Sequence, residues 1–189
     1  MSWKNDQVSD CETAKILEVA RKCLLVSGDF VEFGCYKGDT SLLIADLLVK
    51  NHVEKSVKKL WIYDSFEGLP EKSAFDESVL GVDFKGGELF VTKREVKERF
   101  LRAGLPVPVI KKGWFADLMA EDLPAKIAFA FLDGDFYESI RDSLRLVGPR
   151  MSEGGVIVVH DYTNPALPGV RKAVNELEGG GVNFEMVLL

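Results

Sequence analysis

The sequence predicts an α/β fold: a Rossmann-like, mostly parallel sheet with helices on both faces. Three observations carry this. Apolar runs of strand length alternate with amphipathic runs of helical length along the whole chain. The run FVEF, Phe30–Phe33, passes through a glycine turn straight into the helical pattern SLLIADLLV. The runs IAFAFL and VIVV are apolar without alternation, as strands covered on both faces must be.

The elements follow in order. Residues from about Cys11 to Val26 place Ile16, Leu17, Ala20, Leu24 and Leu25 at helical spacing. Phe30–Phe33 is the first strand, and Asp39, Thr40 and Ser41 are N-cap residue types opening a helix that runs to about Lys50. Lys59–Tyr63 is the second strand. Residues 65–91 hold many glycines, acids and scattered phenylalanines; a stretch this long is expected to be a lid loop within a single domain spanning 1–189. REVKERFLRAG forms a helix that ends at Gly104, and Val107–Ile110 a short strand. Ile127–Leu132 is a buried strand, with a helix from about Tyr137 to Leu146 after it. Val156–Val159, a helix near Gly169–Leu177 and a strand over Phe184–Leu188 complete the pattern.

Composition excludes several classes. The formal charge is −6 over 189 residues, with no basic block, which argues against a nucleic-acid binder. The first ten residues are too polar for a secretory leader, and no apolar run approaches the ~18 residues of a membrane span. Cys11, Cys23 and Cys35 match neither a disulfide framework nor a zinc motif, so free thiols in the cytoplasm are expected. His52 reads as a surface residue.

The chemistry concentrates at strand ends. Gly34 and Gly38 frame a turn with G-x-x-x-G spacing, unlike the G-x-G-x-x-G of a dinucleotide site, and no phosphate-binding lysine follows. Glu32 beside that turn would repel a phosphate and suit a cationic ligand. S-adenosylmethionine (SAM), with a sulfonium and an ammonium and no phosphate, meets that requirement. Asp64, at the tip of the second strand and roughly 25 residues after Gly38, is placed to accept both hydroxyls of a ribose. IAFAFL ends in Asp133-Gly134-Asp135, and VIVV ends in His160-Asp161-Tyr162. If these strands are neighbours, three carboxylates and an imidazole converge, a donor set that suits Mg²⁺, Mn²⁺ or another divalent cation. Asp133-Gly-Asp135 is also compatible with a metal-dependent phosphatase or glycosyltransferase, although neither explains the Glu32 turn. Strand-end aspartates that merely cap helices are the bland alternative.

Taken in order, GDFVEFGCYKGDTS, YDSFEGLP, KGWFADLMAEDLP, FLDGDFYES and SEGGVIVVHDY resemble the class I SAM-dependent methyltransferases, and within them the macrocin O-methyltransferase (TylF-type) family. The first motif is also similar to that of catechol O-methyltransferases. The resemblance implies that Glu32, Gly34, Tyr36, Gly38 and Thr40 line the methionine part of SAM. It implies that Asp64, Ser65 and Phe66 lie at the ribose, and Gly113, Trp114 and Phe115 at the adenine, with Asp117 nearby. Asp133, which also borders the cofactor, and Asp161 would hold the cation, with Mg²⁺ the expected ion. Where the family pattern reads Asp-Asp-Tyr, this chain has His160-Asp161-Tyr162, leaving His160 as base, ligand or bystander. The chain is shorter than typical members at both ends, where substrate-contacting segments lie.

The resulting expectation is a SAM-dependent O-methyltransferase acting on a hydroxyl of a small molecule, whether sugar, phenol or catechol-like. Asp133 and His160 are the expected catalytic residues, with Asp135 another candidate to take the proton; an ordinary imidazole pKa suits a base. The partners are a hydroxylated acceptor and neither nucleic acid nor membrane, with a homodimer among the arrangements allowed. A SAM-binding module without catalysis is the remaining alternative.

Overall fold

The computed structural model describes residues 6–51, 58–78, 80, 84–178 and 184–189; His52 lies outside them. Six parallel strands form one sheet: β1 (Asp29–Phe33), β2 (Leu60–Asp64), β3 (Val109–Lys112), β4 (Ile127–Leu132), β5 (Met151–Val159) and β6 (Glu185–Leu188). Their order is β3-β2-β1-β4-β5-β6, and each neighbouring pair is parallel. Among the described residues, five α-helices cover the faces: α1 (Asp10–Lys22), α2 (Asp39–Lys50), α3 (Lys93–Ala103), α4 (Tyr137–Val147) and α5 (Pro168–Glu178). The predicted elements are all present, with ends moved by a few residues.

All six residues of β4 are buried. Phe129 and Phe131 point into a core layer with Ile16, Ile44, Ile62 and Phe100, beneath α1, α2 and α3. Ala130 and Leu132 point into a second layer with Phe33, Tyr63, Ile140 and Val170, beneath α4 and α5. The unbroken apolar run therefore reports a strand sandwiched between two helical layers. No helix among the described residues is long and apolar enough to cross a membrane. Cys11, Cys23 and Cys35 are free thiols.

Helix ends differ from the sequence reading in two places. Asp39, Thr40 and Ser41 do not cap α2. The N-cap is Gly38 in a left-handed conformation (φ 81°), and the three polar residues lie buried in the first turn. Gly38 accepts this φ at little cost because it has no Cβ. Nor does Asp133 or Asp135 cap α4. The amide of Tyr137 instead donates to Asp76 Oδ1 at 2.7 Å, from the middle of the 65–91 segment. The other oxygen, Asp76 Oδ2, accepts from the Ser73 amide at 2.9 Å and hydroxyl at 2.6 Å.

The described part of that segment is thus tied down as well as folded over the sheet end. Its two sides join through Leu69 and Glu88 (N···O 2.8 Å) and through Gly87 and Leu69 (2.9 Å). Val79, Gly81, Val82 and Asp83 lie outside the described residues. Asp76→Ala removes a buried acceptor from three donors, so urea unfolding should show a loss of about 1–3 kcal/mol. An unchanged midpoint would mean that the contact contributes nothing.

Candidate active site

The sheet order reverses direction between β1 and β4, the place where open α/β sheets form a crevice at their carboxyl ends. Backbone pairing continues past the strands there. Gly34 donates to Tyr63 (2.9 Å), Asp133 to Phe33 (2.8 Å), His160 to Leu132 (3.0 Å) and Gly113 to Asp64 (3.0 Å). This pairing holds each functional side chain on rigid backbone. A Cβ on Gly34 would lie 1.9 Å from the Asp133 carbonyl oxygen, so only glycine lets the two strand tips approach this closely. Tyr36, Phe66, Asp135 and Asp161 all have positive φ (44°, 51°, 60° and 58°), one after each of β1, β2, β4 and β5. Backbone strain of this kind concentrates at functional sites.

One cleft, open at its mouth, gathers most of the predicted residues. Glu32, Gly34, Tyr36, Thr40, Asp64, Ser65, Trp114, Phe115, Asp133, Asp135, His160 and Asp161 all line it. Gly38, Phe66, Gly113 and Asp117 do not: Gly38 caps α2, Phe66 is buried in the core, Gly113 pairs with Asp64, and Asp117 is exposed. Sequence reasoning missed Lys37, Ser139 and Asn164 on the walls, and Gln7 and Val8 ahead of α1. It also missed Arg99, which clamps the glycine turn from α3 by donating to the Lys37 carbonyl (2.6 Å) and pairing with Asp39. The only signal for Arg99 was its place on a helix of known direction.

The first strand supplies the deepest charge. Glu32 is 1 % exposed and accepts a hydrogen bond from the Ser41 hydroxyl. Burial, reinforced by Asp133, Asp64 and Asp39, outweighs that bond and pushes the Glu32 carboxyl up to about 8. Across the turn, Asp64 Oδ2 accepts from the amides of Cys35 (2.9 Å) and Tyr36 (3.2 Å), and Oδ1 from the amide of Phe66 (2.7 Å). Asp64 therefore shapes the glycine turn as well as facing the cleft. Burial lifts the Cys35 thiol well above its usual range, so it is no nucleophile.

The neighbouring pair β4 and β5 places the second group as the sequence implied. His160 Nδ1 lies 2.9 Å from Asp133 Oδ1 and 2.8 Å from Asp161 Oδ2. Donor atoms of the three residues all fall within 4.8 Å of one another. Asn164 donates to Asp161 Oδ1 at 2.7 Å and fixes that carboxylate. Burial disfavours a charged imidazole, but Asp133 and Asp161 outweigh it and push His160 up to about 11. In the absence of an ion this departs from the ordinary imidazole pKa expected of a base. Burial, then Asp133 and Asp161, raise Asp135 well above the usual carboxylate range. Burial would raise Asp161, but its bonds to His160 and Asn164 hold it below the usual range.

Comparison with known proteins follows the same lines. The profile of the macrocin O-methyltransferase (TylF) family matches residues 12–180. A tetracenomycin-C 4'-O-methyltransferase of Streptomyces olivaceus, acting on the 8-demethyl-8-(2,3-dimethoxy-α-L-rhamnosyl) derivative, is 34% identical over 82% of this chain and 59% of its own. The demethyldecarbamoylnovobiocin O-methyltransferase of Streptomyces niveus is 30% identical over 86% of this chain and 64% of its own. The solved structure of the O-methyltransferase NovP superposes with a TM-score of 0.79 at 27% identity, covering 89% of this chain and 71% of that one. The chain spans about three fifths of the length of the curated relatives it matches.

Proposed function

We propose, on the premise that the chain belongs to the macrocin O-methyltransferase family, that it transfers a methyl group from SAM to a hydroxyl of a small molecule. A sugar is the first acceptor class to test, with phenols and catechols after it. The observation that carries the reading is Glu32: a buried carboxylate facing the cleft with no cation beside it among the described residues. A ligand ammonium would supply the missing counter-charge. A phosphate in the place of that ammonium would meet Glu32 and Asp64 with no cation to receive it, which disfavours a nucleotide-sugar in the cofactor's position.

SAM, when bound, supplies an electrophilic methyl on a sulfonium centre. Glu32 would receive its ammonium, Gly34, Tyr36 and Thr40 would border the amino-acid part, Asp64 and Ser65 the ribose, and Trp114 and Phe115 the adenine. Positioning of donor and acceptor supplies most of the rate in such a site. The three donors of Asp133, His160 and Asp161 fit a divalent cation. One donor atom from each of the three lies within 4.8 Å of the others, and two carboxylates with one imidazole are donors such an ion accepts. Such an ion would supply Lewis acidity to the acceptor oxygen. Asp133 is the group placed to hold the acceptor's hydroxyl proton. The 65–91 segment, through Leu69, Phe84 and Leu89, gives the acceptor side an apolar wall.

Calorimetry with SAM and S-adenosylhomocysteine, followed by methyl-transfer assays on sugars, phenols and catechols, tests the reading. Heat with a nucleotide-sugar and none with SAM would overturn it, and SAM binding with no transfer to any acceptor would leave a binding module. Asp64→Ala should weaken SAM binding by ~1–3 kcal/mol through lost charge-assisted hydrogen bonds. It should also lower the stability of the free protein, because three backbone donors lose their acceptor. A variant that binds weakly at full stability would show that Asp64 serves only the ligand.

A further inference from the structure

We propose that Glu12, on the first turn of α1, is a positioning residue that orients His160 as a nitrogen ligand of the cation site. The proposal rests on the divalent-cation reading above. Glu12 Oε1 lies 3.7 Å from His160 Nε2, the ring nitrogen facing away from Asp133 and Asp161. The other oxygen is already committed. Oε2 accepts from the Ser9 amide at 3.1 Å and the Ser9 hydroxyl at 2.6 Å, the capping box that starts α1. The cap therefore fixes the Glu12 carboxylate with one oxygen turned to the imidazole.

A carboxylate can only accept, and across 3.7 Å the charge of Glu12 favours a proton on Nε2. In the free protein Nδ1–H faces Asp133 and Asp161; a bound ion would take the place of that proton, and Glu12 would then hold the remaining one on Nε2 while Nδ1 ligates. Ligating histidines commonly give their second N–H to such a carboxylate, which fixes the tautomer and raises ligand basicity. A nitrogen donor beside two carboxylates also shifts preference from Mg²⁺ toward Mn²⁺, Fe²⁺ or Zn²⁺. The replacement of an aspartate by His160 and the Glu12 contact are then one device. The α1 capping box follows directly on Gln7 and Val8, which line the cleft.

The probe is Mn²⁺ alone, followed by electron paramagnetic resonance on wild type, Glu12→Gln, His160→Asp and the double variant. Gln is compatible with the capping box, so α1 is kept, while its amide can donate to Nε2 and favour the wrong tautomer. Wild type should bind one Mn²⁺ and show spin-echo modulation from an imidazole nitrogen, which His160→Asp abolishes. Glu12→Gln should weaken binding about 10–100-fold in wild type and leave it within about twofold in the His160→Asp background, where no tautomer exists to fix. Unchanged binding in Glu12→Gln, or equal loss in both backgrounds, would overturn the role of Glu12. Wild type that binds SAM but no Mn²⁺ would overturn the cation reading and this inference with it.

Discussion

Glu32→Gln is expected to cost the protein most of its affinity for SAM, and the loss should grow with pH. Where Glu32 is fully ionised, removing one partner of a buried charge pair costs about 3–5 kcal/mol, or a factor of roughly 10²–10⁴ in Kd. In the free protein, burial holds the carboxyl up to about 8. Binding a cation below that pH must therefore release a proton, and wild-type affinity should fall about tenfold per unit from pH 8 to pH 6. Glutamine has no proton to lose, so the variant's affinity should stay level and the gap should narrow toward acid. Titration calorimetry at pH 6, 7 and 8.5 in buffers of different ionisation enthalpy reads both affinity and released protons. A gap independent of pH would show that Glu32 does not pair with the ligand's charge.

The same substitution should move stability the other way. A carboxyl whose folded pKa is raised contributes fully below its unfolded value of ~4.5 and loses that contribution as pH climbs to about 8. At pH 7 the ligand-free wild type bears a cost of order 3 kcal/mol that Glu32→Gln escapes. The variant's Tm should therefore rise relative to wild type between pH 5 and pH 8. A binding residue held at the expense of stability is the trade-off expected of a site built for a cation.

How far the residues themselves disclosed this site varies from one to another. Glu32, Asp64, Asp133 and Asp161 were legible because each ends an apolar run, and a parallel sheet sends all its strand ends to one edge. The sequence leaves the adjacency of β4 and β5 as a condition, and the pairing of Leu132 with Val159 meets it. What stayed hidden depends on contacts remote in sequence. Asp76 caps α4 from 61 residues away, and no local pattern marks an aspartate in a loop as the partner of a distant helix. The capping of α2 misled because Asp39, Thr40 and Ser41 are cap-forming types whose side chains were recruited inward, Asp39 to Arg99 and Ser41 to Glu32. The Ser9–Glu12 box was readable as S-x-x-E, but its link to His160 exists only once α1 lies across the sheet end.

Removal of divalent cations is expected to have the second largest effect. EDTA should lower kcat by at least about 10³-fold, the several kcal/mol that a Lewis acid contributes at a reacting oxygen, and metal add-back should restore it. Asp133→Asn and Asp161→Asn should each fall to a similar level, because an amide oxygen is a weaker donor and carries no charge to offset the ion. The two variants should differ in what survives. Asp161, held by Asn164 at 2.7 Å, would hold the ion without taking the acceptor's proton, so a large excess of metal should recover part of the activity of Asp161→Asn. Asp133 has its backbone against Gly34 at the β1 tip and its carboxylate on His160, and on the proposed mechanism it would take the acceptor's proton as well as hold the ion. Excess metal should leave Asp133→Asn inactive, and raising pH should help it more than it helps wild type, since a hydroxyl that ionises in solution needs no protein group to take its proton. Full activity in EDTA with Asp133→Asn still inactive would remove the ion from the mechanism and leave Asp133 as the proton acceptor.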